Sequence, residues 1–428
     1  MNSKSFQNSL DHLVLAEKII PLGAQTFSKS KTQYPVGHAP FFIESARNAI
    51  VWDVDGNKFV DLVAALGAVT LGYRFSSVDK AVKKQLKRGV TFSLSTKLEY
   101  DVADLLIALL PDAEMVRFGK NGSDVTTAAV RVARHVTGRD KVIRSGYHGW
   151  QDWHIGSTSR SHGVPQLVQG LTTVVPPGNI EMLEQEITRL KNEAACFILE
   201  PFTSVEIDPE YFRLARRLCD EFGILLIFDE VLSGFRVTKH GASEVFGVSP
   251  DLSCFGKGMA NGFPLSALVG KKKYMQSLSE VFFSGTFGGE SLSLAAAKQV
   301  LQHILEDGFI EKIHLIGSEL SQRVSLAIAS EGANFLSLVG HPSWKFLSWS
   351  SSIEDMNSMK TLFLQEMLQR GVLVLGTHNI MLTLSQRDLL LVHRAYKEVL
   401  PILKECYETN NYKKYLRSEP IVPLFTIR

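Results

Sequence analysis

The stretch "ILLIFDEV", Ile224–Val231, decides the fold. Ile224 to Phe228 run without a polar interruption, and two carboxylates, Asp229 and Glu230, end the run. An apolar run without period-two alternation predicts a strand buried on both faces, as in the middle of a parallel sheet sandwiched by helices. A carboxylate at the end of such a strand is costly unless it is paired or opens into a crevice. Read alone, the acids are a helix cap, an ion pair or a ligand contact.

Working outward, helices and strands alternate from about residue 98. "EMVRF" reads as a strand, and Asp124–Thr137 as a helix whose Val125, Ala128, Ala129, Val132, Ala133 and Val136 share one face. "KVIR" and "ACFILEP" are strands. Between "ACFILEP" and Ile224, the residues Tyr211, Leu214, Ala215, Leu218, Cys219 and Phe222 repeat the helical spacing, with Gly223 placed to close the helix. "LSCFGKG" and "PLSALVG" add strand candidates. This predicts an α/β fold with a mainly parallel sheet. Residues 41–62 read as a small antiparallel meander with turns at "ARN" and "DVDGN". Beyond a long helical stretch at 290–325, strands ("SWKFLSWS", "VLVLG", "IMLTL") and helices form a smaller α+β domain. The expected division is 1–65 (N-terminal helix and meander, packing with the C-terminal domain), 66–300 (large α/β domain) and 301–428 (small domain).

Composition bounds the function. The chain has 428 residues, 45% of them hydrophobic, which suits a large core and several domains. A net charge of +2 without a long basic run points away from nucleic acid and anionic membranes. Cys196, Cys219, Cys254 and Cys406 are widely spaced, with no metal-binding pattern, so reduced buried thiols are expected. The N-terminus reads as an amphipathic helix without the apolar core of a signal peptide, and no long uncharged apolar run occurs. A soluble cytoplasmic protein is expected.

In such sheets, ligands bind beyond the carboxyl ends of the strands. After "EMVRF", Gly122 and Ser123 stand at a helix start, where backbone N–H groups attract an anion; an ordinary N-cap by Ser123 or Asp124 is the plain alternative. After "KVIR" come Tyr147 and His148 between two glycines, either an aromatic plate over a pocket or a surface turn. After "ILLIFDEV" come the acids. After "LSCFG" comes Lys257, between Gly256 and Gly258. Desolvation at a buried strand end makes a lysine amine nucleophilic; the alternative is a lysine in a tight turn. Together these supply what pyridoxal phosphate requires: an anion cradle, a stacking face, a carboxylate for the pyridine nitrogen and an amine for the Schiff base.

The chain resembles the class III aminotransferases of fold type I, nearest to the glutamate-1-semialdehyde aminomutase-like group. The resemblance runs from "VWDVDGNKFVDL" through "NGSDVTTAAVRVARHVTGRDKV", "GYHGW", "LLIFDEVLSGFRV", "PDLSCFGKGMANGFPLSALVGK" and "SGTFGGESLSLAAA" to "GTHNIMLTLSQRD". It implies a seven-stranded-type large sheet and a homodimer with shared active sites. It also implies roles: Lys257 carries the cofactor and moves the proton, and Asp229 pairs with the pyridinium nitrogen. Val231 and Tyr147 flank the ring, Gly122 and Ser123 hold the phosphate, and Thr286 reaches the phosphate in the neighbouring subunit. Glu200 lies near the cofactor, and Arg236 is a structural ion-pair partner.

The departures lie on the substrate side, where His148 is also a candidate. Lys29 stands where the aminomutases carry a carboxylate-binding arginine, and Leu66 where they carry a tryptophan. "PFTSVEIDPEYF", after Glu200, lacks their Gly-Asn-Met-Gly run. Lysine does not reproduce a bidentate clamp. These departures favour amino transfer from an amino-acid donor, glutamate by analogy, to a ketone or aldehyde, a keto sugar among the options. Glutamate-1-semialdehyde 2,1-aminomutase and a non-catalytic binding protein on the same fold are the competing readings.

Overall fold

The computed structural model describes residues 4–306 and 308–422, which fall into two compact units. One is formed by Ser76–Glu311, the other by the residues up to Phe75 together with those from Lys312 onward.

The larger unit is built on a seven-stranded sheet. Its strands are β1 (Met115–Gly119), β2 (Lys141–Ser145), β3 (Thr172–Val174), β4 (Ala194–Leu199), β5 (Leu225–Glu230), β6 (Leu252–Phe255) and β7 (Ser266–Gly270). The spatial order is β1-β7-β6-β5-β4-β2-β3. All pairs are parallel except those of β7, which runs antiparallel to both β6 and β1. Every residue of β4 and β5 is buried, as the unbroken apolar run requires. Alternate side chains feed two cores. Cys196, Ile198, Leu225 and Ile227 pack on helix α1 (Gly122–Thr137). Phe197, Leu199, Leu226 and Phe228 pack against α2 (Ile180–Arg189) and α3 (Pro209–Phe222). The apolar stripe of α1 is fully enclosed at Val125 and Val132, each contributing roughly 1.5–3 kcal/mol by leaving water. Gly138 and Gly223, both left-handed, close α1 and α3. Strand β3 was not legible in the sequence: it has three residues, none fully buried.

In the smaller unit, Ile43–Arg47, Ile50–Asp53 and Lys58–Asp61 form the expected meander, with Val372–Leu373 added in parallel to Lys58–Asp61. Leu336–Val339, Trp344–Trp349 and Thr377–Asn379 form a second sheet. The strand expected at "IMLTL" is displaced: pairing with Trp344–Phe346 uses Thr377–Asn379, and the following residues turn into the helix Gln386–Thr409, capped by Ser385. The long helical stretch is two helices, Ser291–Leu305 and Phe309–Glu331. The N-terminal helix is shorter than the amphipathic pattern, Gln7–Ala16. All four cysteines are free and buried. Among the described residues no helix is long and apolar enough to cross a membrane.

One local feature of this unit is costly. Ala64, Ala65 and Leu66 are consecutive left-handed residues (φ 49°, 51° and 60°), followed by Gly67 at φ 80°. Each non-glycine residue there costs roughly 1–2 kcal/mol. The turn is held by Asp61, whose Oδ1 accepts from the N–H groups of Val63 (2.7 Å) and Ala64 (3.0 Å) while Oδ2 accepts from the Tyr73 hydroxyl (2.6 Å).

Candidate active site

Two segments beyond the carboxyl ends of strands in the larger unit close on Val231, which follows β5. A Cβ added to Gly122, at the start of α1, would lie 2.7 Å from Val231 Cγ1. One added to Gly256, after β6, would lie 3.3 Å from the same atom. Lys257 follows directly, half-buried and in the left-handed region at φ 43°. It opens a short 3-10 turn, Lys257–Ala260, rather than continuing the strand. Strain of this kind gathers where a backbone must aim a side chain.

The helix start is built by neighbours of the expected residues. The cap of α1 is Asn121, and neither Ser123 nor Asp124 occupies that position. Asp124 instead reaches back, its Oδ2 accepting from the N–H groups of Lys120 (2.9 Å) and Asn121 (2.7 Å). Ser266, on β7, donates from Oγ to the Asn121 carbonyl at 2.8 Å. Ser123 faces the loop after β2: Trp150 N–H points at its Oγ at 3.4 Å, and a Cβ on Gly149 would lie 2.2 Å from that oxygen. Gly149 sits at φ 110°, so contact and backbone both require glycine.

The loop Gly146–Trp150 is clamped on three sides. Thr126 Oγ1 donates to the His148 carbonyl at 2.7 Å. Glu200 Oε2 accepts from Tyr147 N–H at 3.0 Å and crowds Gly146, where a Cβ would lie 2.7 Å away. Arg144 Nη1 donates to the Gly146 carbonyl at 2.7 Å, and burial draws its guanidinium down to about 10.

Asp229 is the electrostatic centre. It is 6% exposed and accepts from His148 Nδ1 (2.7 Å) and from Val231 N–H (3.1 Å). A carboxylate only accepts, so Nδ1 carries the proton. His148 Nε2 is buried without a hydrogen-bond partner among the described residues. His148 stacks on Trp153 and meets His154 edge-on. His154 also meets Tyr147 edge-on at 5.1 Å between ring centres. Burial, reinforced by His148 and Arg144, pushes the His154 imidazole down to about 2, so it is neutral. Next to Asp229, burial pushes the Glu230 carboxyl up to about 8, with the Ala242 N–H donating to it at 2.9 Å.

Gly122, Ser123, Tyr147, His148, Glu200, Asp229, Val231 and Lys257 thus stand at or beyond the carboxyl ends of five strands, β1, β2, β4, β5 and β6. Thr286 lies elsewhere in the unit, exposed in the loop between Val281 and Glu290. That loop is tethered at its carbonyls, by Arg131 to Phe282 (2.6 Å) and Arg117 to Phe283 (2.9 Å). Lys29 and Leu66 belong to the smaller unit, where both line one cavity. Arg236 is buried, and burial draws it down to about 10. Sequence reasoning missed Asn121, Trp153, His154 and Ser266. The crowding of rings in "GYHGWQDWH" was the available signal for Trp153 and His154.

The arrangement fits a flat ligand with an anionic tail and a cationic ring atom. The glycine at 122 lets Val231 close against the helix start, where a Cβ would lie 2.7 Å from its Cγ1. The buried Asp229 carboxylate, paired with His148 at the end of β5, suits a cationic ring atom.

Comparison with known proteins agrees. The family model described as aminotransferase class-III matches residues 32–406. A 3-aminobutyryl-CoA aminotransferase from Cloacimonas acidaminovorans is 31% identical over 91% of this chain and 96% of its own length. A glutamate-1-semialdehyde 2,1-aminomutase from Methanococcus maripaludis is 37% identical over 64% of this chain and 68% of its own. The solved structure of the PLP internal aldimine form of FumI from Sphingopyxis sp. MTA144 superposes with a TM-score of 0.86 at 25% identity, covering 94% of this chain and 98% of that one.

Proposed function

Because this chain belongs to the class-III aminotransferases, a family of enzymes that use pyridoxal phosphate, we propose that it moves an amino group from an amino-acid donor to a small ketone or aldehyde. The observation that carries the reading is the buried Asp229–His148 pair at the end of β5, one strand over from the loop bearing Lys257. When bound, the cofactor supplies an electron sink and a carrier for the amino group.

The residues divide the work as follows. The N–H groups at Gly122 and Ser123 hold the phosphate at the positive end of α1. Val231 and Tyr147 enclose the ring. Asp229 would face the ring nitrogen, and His148, donating from Nδ1, holds the Asp229 carboxylate in position. Glu200 holds the Tyr147 backbone in place. Lys257 would hold the cofactor through Nζ, and its amine would serve as the base and acid that moves a proton at the amino-bearing carbon of the substrate. Thr286, on a tethered surface loop, contributes to the phosphate site of a second subunit, which makes the working enzyme a homodimer.

A half-reaction screen tests this. Holoenzyme mixed with single amines, without any acceptor, loses the visible band of the lysine-bound cofactor when a true donor is present. Failure of every amine to bleach it contradicts the proposal. The aminomutase reading is supported by the 37% identity to an aminomutase over most of that protein. It predicts 5-aminolevulinate from glutamate-1-semialdehyde with no external donor. Lys29 and Leu66 favour intermolecular transfer.

A further inference from the structure

The backbone of the loop after β2 is held group by group. Arg144 takes the Gly146 carbonyl, Glu200 the Tyr147 N–H and Thr126 the His148 carbonyl. The His148 N–H donates to His154 Nε2 at 3.4 Å. His154 is 1% exposed, and its ring also meets the two side chains that the loop presents. It stands edge-on to Tyr147 at 5.1 Å and to His148 at 5.4 Å between ring centres. One imidazole thus touches a backbone group and two rings of the same loop.

His154 is itself fixed on a closed circuit. Its N–H donates to the Gln151 carbonyl at 2.9 Å, and its carbonyl accepts from Ser157 Oγ at 2.7 Å. Ser157 Oγ in turn accepts from Arg144 Nε at 2.9 Å. Arg144 is the residue that holds Gly146. The circuit therefore runs from Arg144 through Ser157 and His154 to His148, and back along the loop to Gly146.

The contacts also set the protonation of the ring. A neutral imidazole that accepts at Nε2 carries its proton on Nδ1. A second proton would turn the acceptor into a donor facing the His148 N–H. The Arg144 guanidinium opposes a cation there as well. His154 Nδ1 is buried without a hydrogen-bond partner among the described residues. An unpaired buried donor is unfavourable, and a phenyl ring would fill similar space without it. The imidazole is thus explained by its acceptor and not by packing.

We propose that His154 is a positioning residue: uncharged, it sets where the Tyr147 ring and the His148–Asp229 contact stand, and touches no reacting atom itself. The bearing on the cofactor rests on the aminotransferase reading; the hold on the loop does not.

Two variants separate the acceptor from the volume. His154→Gln puts an amide oxygen near the Nε2 position, and His154→Phe keeps a ring without an acceptor. Hydrogen exchange of the apoprotein, read by mass spectrometry on the peptide covering Gly146–Trp150, needs no cofactor. Exchange there should be roughly tenfold faster in His154→Phe, the scale of one lost hydrogen bond, and within about threefold of wild type in His154→Gln. In the holoenzyme, the visible circular dichroism of the bound cofactor should change in His154→Phe and be largely recovered in His154→Gln. The dissociation constant for pyridoxal phosphate should rise roughly tenfold in His154→Phe. Should His154→Phe not fold, Ser157→Ala serves instead: it cuts the circuit between Arg144 and His154 and should speed the same exchange. Wild-type exchange in the variant used overturns the proposal. Equal acceleration in His154→Gln and His154→Phe does so too, and makes the residue a matter of packing. Faster exchange with unchanged cofactor dichroism and affinity also overturns it. Amines that bleach the band alongside wild-type exchange defeat this inference alone. The expected exchange pattern alongside no bleaching defeats the aminotransferase reading alone.

Discussion

His148 Nδ1 donates to Asp229 Oδ2 at 2.7 Å, and both side chains are almost fully buried. Through this contact the loop after β2 controls the charge at the end of β5. Asp229→Asn removes the charge that would hold a proton on the ring nitrogen, and should lower kcat by roughly a hundredfold or more, the scale of losing one preorganised electrostatic contact. His148→Asn retains a short donor and should cost less than His148→Phe. The pH–rate profile should shift in the phenylalanine variant and stay near wild type in the asparagine variant. Equal losses without a pH shift would make His148 a packing residue only.

Gly122 gives a prediction about binding rather than rate. A Cβ there would lie 2.7 Å from Val231 Cγ1, so Gly122→Ala must displace either α1 or Val231. Overpacking of this kind costs about 1–3 kcal/mol. Cofactor affinity, read by equilibrium dialysis, should fall roughly tenfold. The double variant Gly122→Ala, Val231→Ala should recover part of it. No recovery would mean that the methyl group obstructs the ligand itself and not the valine.

Two buried groups shape stability against pH with opposite signs. Burial raises the Glu230 carboxyl from 4.5 to about 8, so between these values the folded state holds a proton that the unfolded state has lost. Its contribution is full below about 4.5 and is lost as pH rises through about 8. The His154 imidazole is lowered from 6.5 to about 2, so here the unfolded state takes up the proton first. That contribution is full above 6.5 and is lost as pH falls toward 2. In thermal melts across pH, Glu230→Gln should flatten the alkaline limb and His154→Gln the acid limb. Parallel curves for variant and wild type would contradict these assignments.

Tyr73 should matter to folding. Its hydroxyl is one of three donors to the buried Asp61, so Tyr73→Phe should destabilise the protein by about 1–3 kcal/mol in denaturant titrations. A loss well under that would mean that water replaces the hydroxyl.

Much of the larger unit was legible in the sequence because burial on both faces writes itself as composition. Ile224–Phe228 could be nothing but an inner strand, and the offsets from Val125 to Ala133 named the buried face of α1, while Val136, at the same spacing one turn from the end, is exposed. What stayed hidden was set by tertiary contact. The cap at Asn121 is selected over Ser123 because Ser266 and Asp124 hold that turn, and both contacts are invisible locally. Strand β3 is too short to carry a pattern. The left-handed path at Ala64–Leu66 defies residue preference altogether, since only Asp61 and its surroundings enforce it. Likewise, the ring cluster around His148 depends on Trp153 and His154 folding back in the short helix Asp152–Ile155.

The central claim is that Lys257 Nζ is the amine that carries the cofactor. Borohydride reduction of the holoenzyme, followed by proteolysis and mass spectrometry, tests it directly. The account predicts one modified peptide, containing Lys257 with the mass of reduced pyridoxal phosphate attached, and no modification in Lys257→Ala. Modification at another lysine, or a visible cofactor band that survives both borohydride and Lys257→Ala, would contradict it.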